Sequence, residues 1–247
     1  MPPLVIDLRG VDDSRDVIHR AVQALVEGKL VAFPSETVYL LAASGLHAGA
    51  VERLERVTDP GETAASDWMD QHRLALAVKG ASDAYDYVPA LCPLGKRFAR
   101  RCWPGPIVLY VDNLHHDSLL TQLPAKVQGS VDADGVIGLR VPAHSVIQDV
   151  MRLIAGPLVV ASALDKSGGP AVTAQAVTEQ YPNDVAMVID DGTRRVELVR
   201  VGPGHTRGDA IAYLPKERIL FSGDLCVNRA GNNVADPDAD PDNWVRV

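Results

Sequence analysis

The segment FPSETVYLLAA, residues 33–43, decides how the rest of the chain is read. It is entered from Leu30 to Phe33, a short apolar run closed by Pro34, and such a run reads as a buried strand that ends in a loop. Ser35, Thr37 and Tyr39 then fall on the loop at the carboxyl end of a strand, a place where α/β proteins commonly bind ligands. Upstream, Ser14 precedes Val17, Ile18, Ala21, Val22 and Leu25, and Gly28 follows them. That spacing predicts an amphipathic helix with a capping side chain before it and a glycine stop after it. Downstream, a helix is predicted over Ala48–Val57.

The alternation continues outward from this core. Leu74–Val78, Ile107–Val111, Val136–Val141 and Leu158–Ser162 read as strands, and Leu94–Cys102 and Ser145–Ala155 as helices. Val185–Ile189 adds a strand before the turn Asp190-Asp191-Gly192. This order predicts an α/β (α+β) domain in which helices cover a mixed sheet. From Val196 the texture changes to three short strand-like runs, VELVRVG, AIAYLP and RILFSG, separated only by turns, which predicts a C-terminal β-meander. The stretch NNVADPDADPDNW is too acidic and proline-rich for a core and reads as loop or tail. Two domains are expected, 1–192 and 196–247, with the boundary at Asp191–Arg195.

Composition narrows the function classes. The 247 residues are 47% hydrophobic and 23% charged, which excludes a disordered chain and a collagen-like fibre. The net charge of −8 argues against a broad nucleic-acid face and lends no support to an RNA partner, though a local basic pocket stays open. Cys92, Cys102 and Cys226 are odd in number and widely spaced, so neither a disulfide framework nor a cysteine zinc site is indicated. MPPLVIDLRGVDD carries acids where a signal peptide carries bases, and no apolar run reaches the roughly 20 residues of a membrane span. A cytoplasmic protein without membrane partners is expected. Neither a Walker or dinucleotide fingerprint nor a G-x-S-x-G motif is present.

Four blocks, in order, carry a resemblance. FPSETVYLLAA is similar to the P-T-E-T-V-Y-G-L motif of the YrdC-like family, whose characterised members are threonylcarbamoyl-AMP synthases. CWPGPIVLYV (102–111) resembles W-P-G-P-L-T, GVIGLRVPAH (135–144) resembles V-x-x-R-x-P-x-H, and GPLVVASALDKSGGP (156–170) resembles P-x-x-x-x-S-A-N-x-S-G. The match runs from about residue 15 to 191. It implies a YrdC-like twisted mixed sheet flanked by helices and a nucleotidyltransferase that gathers ATP, threonine and bicarbonate in one cavity. The product, threonylcarbamoyl-AMP, feeds tRNA adenosine modification; ATP with Mg enters as substrate, and no resident cofactor is implied. By the same resemblance Ser35, Thr37, Arg140, Ser162 and Ser167 bind substrate, with Ser35, Thr37, Arg140 and Ser162 converging on one concave site, and no catalytic residue is assigned.

The chain departs from the family where the phosphates are held. The family's K-x-R falls on Val57 and Asp59, its strand histidine near Ala77, the threonine of W-P-G-P-L-T on Val108, the asparagine of S-A-N on Leu164 and the glycine of Y-G-L on Leu40. Two phosphate-binding cations thus become an apolar residue and an acid, and impaired or lost activity is expected. Lys79 and Lys166 are the candidate substitutes. Each retained residue also has a purely structural reading: Arg140 as an ion pair, Ser35 and Thr37 as loop caps, Tyr39 as core, and Ser162 and Ser167 as parts of a turn. A non-catalytic nucleotide-, RNA- or protein-binding module is the alternative.

The C-terminal stretch carries a second resemblance. VELVRVGPGHTRGDAIAYLPKERILFSGDLCVN is similar to the H-T-x-G-D…Y-L-P…G-D-L stretch of metallo-β-lactamase-fold hydrolases, over about residues 196–244. The family's metal ligands correspond to His205 and Asp224, but its H-x-H-x-D-H signature is absent. A zinc site needs three or four protein ligands, so a truncated fragment without metal is expected, and a metal-dependent hydrolase remnant is the weaker alternative. Asp209 reads as a turn residue and His115-His116 as a solvated pair.

Overall fold

The computed structural model describes residues 2–11, 13–59, 74–113, 115–192, 197–200, 210–214 and 219–222. The chain divides into two compact units, Met1–Gly192 and Thr193–Val247.

The elements of the first unit are β1 (Leu4–Asp7), α1 (Arg15–Val26), β2 (Leu30–Pro34), β3 (Tyr39–Ser44), α2 (Ala48–Val57), β4 (Ala75–Ala77), α3 (Ala81–Tyr87) and α4 (Pro93–Cys102). They continue with β5 (Leu109–Asp112), α5 (Ala125–Val131), β6 (Asp132–Ala133), β7 (Val136–Arg140), α6 (Ser145–Leu153), β8 (Leu158–Ser162), α7 (Ala174–Gln180) and β9 (Val185–Asp190). The strands form one mixed sheet in the order β1-β9-β2-β3-β8-β4-β7-β5, with β6 beside β7. β1 and β2 flank β9 in parallel and β4 pairs β7 in parallel. β3 runs antiparallel to both β2 and β8, and β8 antiparallel to β4.

Alternation along the strands builds a core on each face. Val31 and Phe33 of β2, Leu40 and Ala42 of β3 and Ala77 of β4 meet Val17, Ile18 and Leu25 of α1 and Ile147 and Val150 of α6. Leu30, Ala32, Leu41 and Leu76 point the other way, into a core with Val51 and Leu54 of α2, Val127 of α5 and Val177 of α7. With helices on both faces, the central strands lose their polar side, which is why β2 is an unbroken apolar run.

Several local expectations are corrected. Ser14 precedes α1 but makes no side-chain cap; its φ/ψ is already helical, and Asp13 Oδ1 accepts from the Arg15 amide instead. Tyr39 is not in the loop but opens β3, paired with Pro34 across a tight reversal in which the Ser35 amide donates to the Val38 carbonyl. The strand expected over Ile107–Val111 starts at Leu109, Ile107 being exposed, and the helix over Ser145–Ala155 ends at Leu153. The turn at Asp190-Asp191-Gly192 is present, with Gly192 at φ +83° and its amide donating to Asp190 Oδ1.

In the second unit, Glu197–Arg200 (β10), Ala210–Leu214 (β11) and Ile219–Phe221 (β12) form an antiparallel meander. His205, Asp209 and Asp224 lie outside the described residues. No helix among the described residues is long and apolar enough to cross a membrane.

Candidate functional site

The site is built on the reversal between β2 and β3 and on the arm Arg140–His144 that leaves β7. These segments are distant in sequence and separated in the sheet by β3, β8 and β4. Through the pairs Arg140–Ala77, Ala77–Leu158 and Leu158–Ser44, the carboxyl end of β7 is level with the end of β3 away from the reversal, so the contacts with Glu36 are made across the sheet rather than along one edge.

Arg140 is 4% exposed. Its Nη2 donates to Glu36 Oε2 at 2.6 Å and to Ser35 Oγ at 3.3 Å, while its Nε is buried without a hydrogen-bond partner. The other Glu36 oxygen accepts from the Ala143 amide, so one carboxylate ties both ends of the arm to the reversal. Burial pushes the Glu36 carboxyl up, but the Ala143 amide, its own backbone amide and the Arg140 charge together hold it below the usual range. Ser35 Oγ also donates to the Val38 carbonyl at 2.6 Å, so this hydroxyl caps the loop as well as accepting from arginine.

The carboxyl end of β9 closes the same neighbourhood. Tyr39 Oη donates to Asp190 Oδ1 at 3.1 Å, and burial, with Asp190 nearby, pushes this phenol's pKa well up. Asp191 Oδ2 lies 2.8 Å from His144 Nε2, and His144 Nδ1 is buried without a partner. The arm thus carries two unpartnered buried nitrogens, on Arg140 and His144, each on a side chain held elsewhere by a carboxylate.

The other expected site residues are placed less tightly. Thr37 is exposed in the reversal, and Ser162 is the exposed last residue of β8, in register with Leu40. Ser167 sits in a turn organised by Asp165, whose Oδ1 accepts from the Ser167 hydroxyl at 2.6 Å and the Gly169 amide at 3.1 Å. Its hydroxyl therefore serves the turn, which runs from the end of β8 back to pair Ala171 with Tyr39 and Ala163. Ser35 and Arg140 are hydrogen-bonded to each other, and the hydroxyl of Ser167 is bonded to Asp165 instead.

The substituted positions are equally explicit. Val57, the last residue of α2, is half-buried against the core, and Asp59 is exposed just past the helix end. Ala77, Leu40 and Leu164 carry no charge, and Ala77 and Leu40 are buried. Lys166 pairs with Glu179 at 3.4 Å. Lys79 lines a shallow depression with Asp83, Asp86 and Tyr87, which none of Ser35, Glu36, Arg140 or His144 lines.

Sequence reading passed over Glu36, Asp190, Asp191 and His144 as site residues. Glu36 stands inside the PSET stretch and His144 closes the V-x-x-R-x-P-x-H block, so for these two a signal was present. For Asp190 and Asp191 it was only a turn.

Comparison with known proteins places this architecture. The family profile Sua5_yciO_yrdC, described as "Telomere recombination", matches residues 23–199, more than half of the chain. Threonylcarbamoyl-AMP synthase of Pyrococcus abyssi is 29% identical over 172 residues, which cover 69% of this chain and 45% of that one. The Bos taurus enzyme of the same name is 26% identical over 177 residues, 72% of this chain and 57% of that one. The chain therefore spans about half the length of these two relatives. A putative threonylcarbamoyl-AMP synthase of Mycobacterium tuberculosis is 28% identical over 221 residues, 87% of this chain and 88% of that one. Among solved structures, a Sua5 variant from P. abyssi superposes with a TM-score of 0.62 at 25% identity, covering 81% of this chain and 54% of that one. Escherichia coli YciO shares the fold, with a TM-score of 0.59 at 18% identity over 79% of this chain and 88% of that one. The chain belongs to the Sua5/YciO/YrdC family.

Proposed function

We propose that this member of the family is a threonylcarbamoyl-AMP synthase homologue that keeps the outline of a nucleotide and amino-acid site but has impaired or lost turnover. The observation that carries the proposal is the end of α2, where the family's K-x-R falls on Val57, half-buried against the core, and Asp59, exposed, so neither position supplies a cation, and among the described residues Arg140 is the one buried cation.

In such a reaction threonine and bicarbonate form a carbamate that attacks the α-phosphate of ATP and releases pyrophosphate. The protein's part is positioning and charge stabilisation. In this chain Ser35 and Thr37 would orient the substrates, Arg140 would face developing phosphate charge, and Ser162 would close the pocket edge. Each charge-assisted hydrogen bond lost costs about 1.5–3 kcal/mol, and a preorganised donor lost costs roughly a hundredfold in rate. Two missing cations therefore suffice to bring turnover to background.

Purified protein supplied with ATP, Mg, threonine and bicarbonate should release no threonine-dependent pyrophosphate above background. A Val57→Lys, Asp59→Arg variant should gain ATP affinity in calorimetric titration. Turnover by the unmodified protein at the rate of a synthase with an intact K-x-R overturns the proposal.

A second reading, a silent binding module, is favoured by the unpartnered Arg140 Nε and His144 Nδ1, which leave hydrogen-bonding capacity buried on one arm. Saturable ATP binding without turnover supports it. The segment 196–244 we read as a remnant resembling the metallo-β-lactamase fold, without metal at His205 and Asp224. Stoichiometric zinc in elemental analysis, lost in His205→Ala, overturns that reading.

A further inference from the structure

Helix α4, PLGKRFARRC, holds four cations and no acid, in a chain with 32 acidic and 24 basic side chains. Ala99 is buried and sets its inward side; Arg97, Phe98, Arg100 and Arg101 are exposed. Leu94 and Phe98, one turn apart, are 60% and 48% exposed. On a helix, residues three and four apart are neighbours, so Leu94 adjoins Arg97 and Phe98, and Arg101 adjoins Arg97 and Phe98. The result is a continuous patch, an apolar ridge beside three guanidinium groups.

Among the described residues no carboxylate pairs with Arg97, Arg100 or Arg101. Lys96, by contrast, lies over the Tyr85 ring at 5.7 Å. Arg100 and Arg101 gain something from the negative end of the helix. That account covers neither Arg97 in the middle nor the exposed ridge.

We propose that the exposed face of α4 is a docking surface for a short acidic peptide segment anchored by an aromatic side chain. Carboxylates match guanidinium groups in bidentate pairs, and the Leu94–Phe98 ridge offers an apolar seat for the anchor. The spacing agrees: Arg97 and Arg101 are about 6 Å apart along the axis, close to the roughly 6.6 Å between alternate residues of an extended chain. An extended polyanion or an anionic bilayer would also meet the rest of a surface with net charge −8, whereas a short peptide feels chiefly charges within about 8 Å. The chain itself contains a sequence of this chemistry, Asp236, Asp238, Asp240 and Asp242 at alternate positions followed by Trp244.

A labelled peptide, ADPDADPDNW (residues 235–244), serves as probe, titrated into the full chain and into a full chain carrying D236N, D238N, D240N and D242N, which cannot compete. Saturable binding by the second protein that weakens with salt is expected. Each of Arg97→Gln, Arg100→Gln and Arg101→Gln should weaken it roughly two- to five-fold, the range of exposed ion pairs. Phe98→Ser should weaken it too, and because these side chains are exposed the unfolding temperature should fall by no more than about 2–4 °C, the loss of helix-end charge at Arg100 or Arg101 included. The proposal is overturned if an all-Asn peptide binds equally, if the arginine variants bind as the parent does, or if the acid-neutralised chain does not bind. Tighter binding at the same salt to phosphatidylserine vesicles or to oligouridylate also overturns it, in favour of a lipid or RNA surface.

Discussion

Glu36 and Arg140 show what one contact does here. The pair is nearly buried, with side-chain exposures of 19% and 5%, and Glu36 also receives the Ala143 amide. Removing one partner of a buried ion pair leaves an uncompensated charge and costs about 3–5 kcal/mol. Glu36→Gln should therefore lower the free energy of unfolding by about that much, measured by urea denaturation, while Glu36→Gln with Arg140→Met should recover part of it. A single variant as stable as the parent would mean that water, not Glu36, satisfies the guanidinium. Arg140 was legible in the sequence because it stands at the arginine of the block that resembles V-x-x-R-x-P-x-H. Its partner was not, since the two stand 104 positions apart and nothing local to PSET says where its acid points.

At the scale of elements, the junction of α1, β2 and α2 hangs on one glycine. Gly28 has φ +76°, and a Cβ there would lie 2.2 Å from His47 Nε2. His47 caps α2, its Nδ1 accepting from the Ala50 amide at 3.2 Å. Gly28→Ala must therefore strain the backbone by about 1–2 kcal/mol and push aside a cap worth about 1 kcal/mol. A loss of roughly 2–3 kcal/mol in chemical denaturation is expected, and a neutral substitution would show that the ring moves freely. Long periodic elements were readable: α2 runs over Ala48–Val57 and β8 over Leu158–Ser162, as their patterns indicate. The helices that were not, α3, α5 and α7, have seven residues each, two turns at most, too few to display a period, and the strands β1 and β6, of four and two residues, are shorter still. β3 was obscured because its run YLLAAS is buried on both faces and so lacks alternation.

At the scale of the whole molecule, the buried phenols set the alkaline limit of stability. Burial raises the pKa of Tyr39, Tyr87, Tyr110 and Tyr181, Tyr87 to about 12. A group raised in the folded state binds its proton more tightly there, so this stability is complete below the unfolded pKa of about 10 and is lost as pH rises above it. Glu36, held below its ordinary value, has the opposite sign: its contribution is present above the unfolded pKa and lost as pH falls through the folded one. Unfolding temperature followed by circular dichroism should be level near neutrality, fall beyond about pH 10 and fall again below about pH 4; equal values at pH 8 and 11 would contradict the tyrosine account. Periodicity, turn residues and motifs are properties of neighbours along the chain, and from them the class of fold, most of the strands and helices and the family motif blocks could be read directly. The contacts of Arg140 with Glu36, of Tyr39 with Asp190 and of His144 with Asp191 exist only in the folded chain. The first joins segments separated by three strands of the sheet, the second joins β3 to β9 across β2, and the third joins the arm after β7 to the turn after β9, so all three follow from a strand order that is set by the packing of the whole sheet.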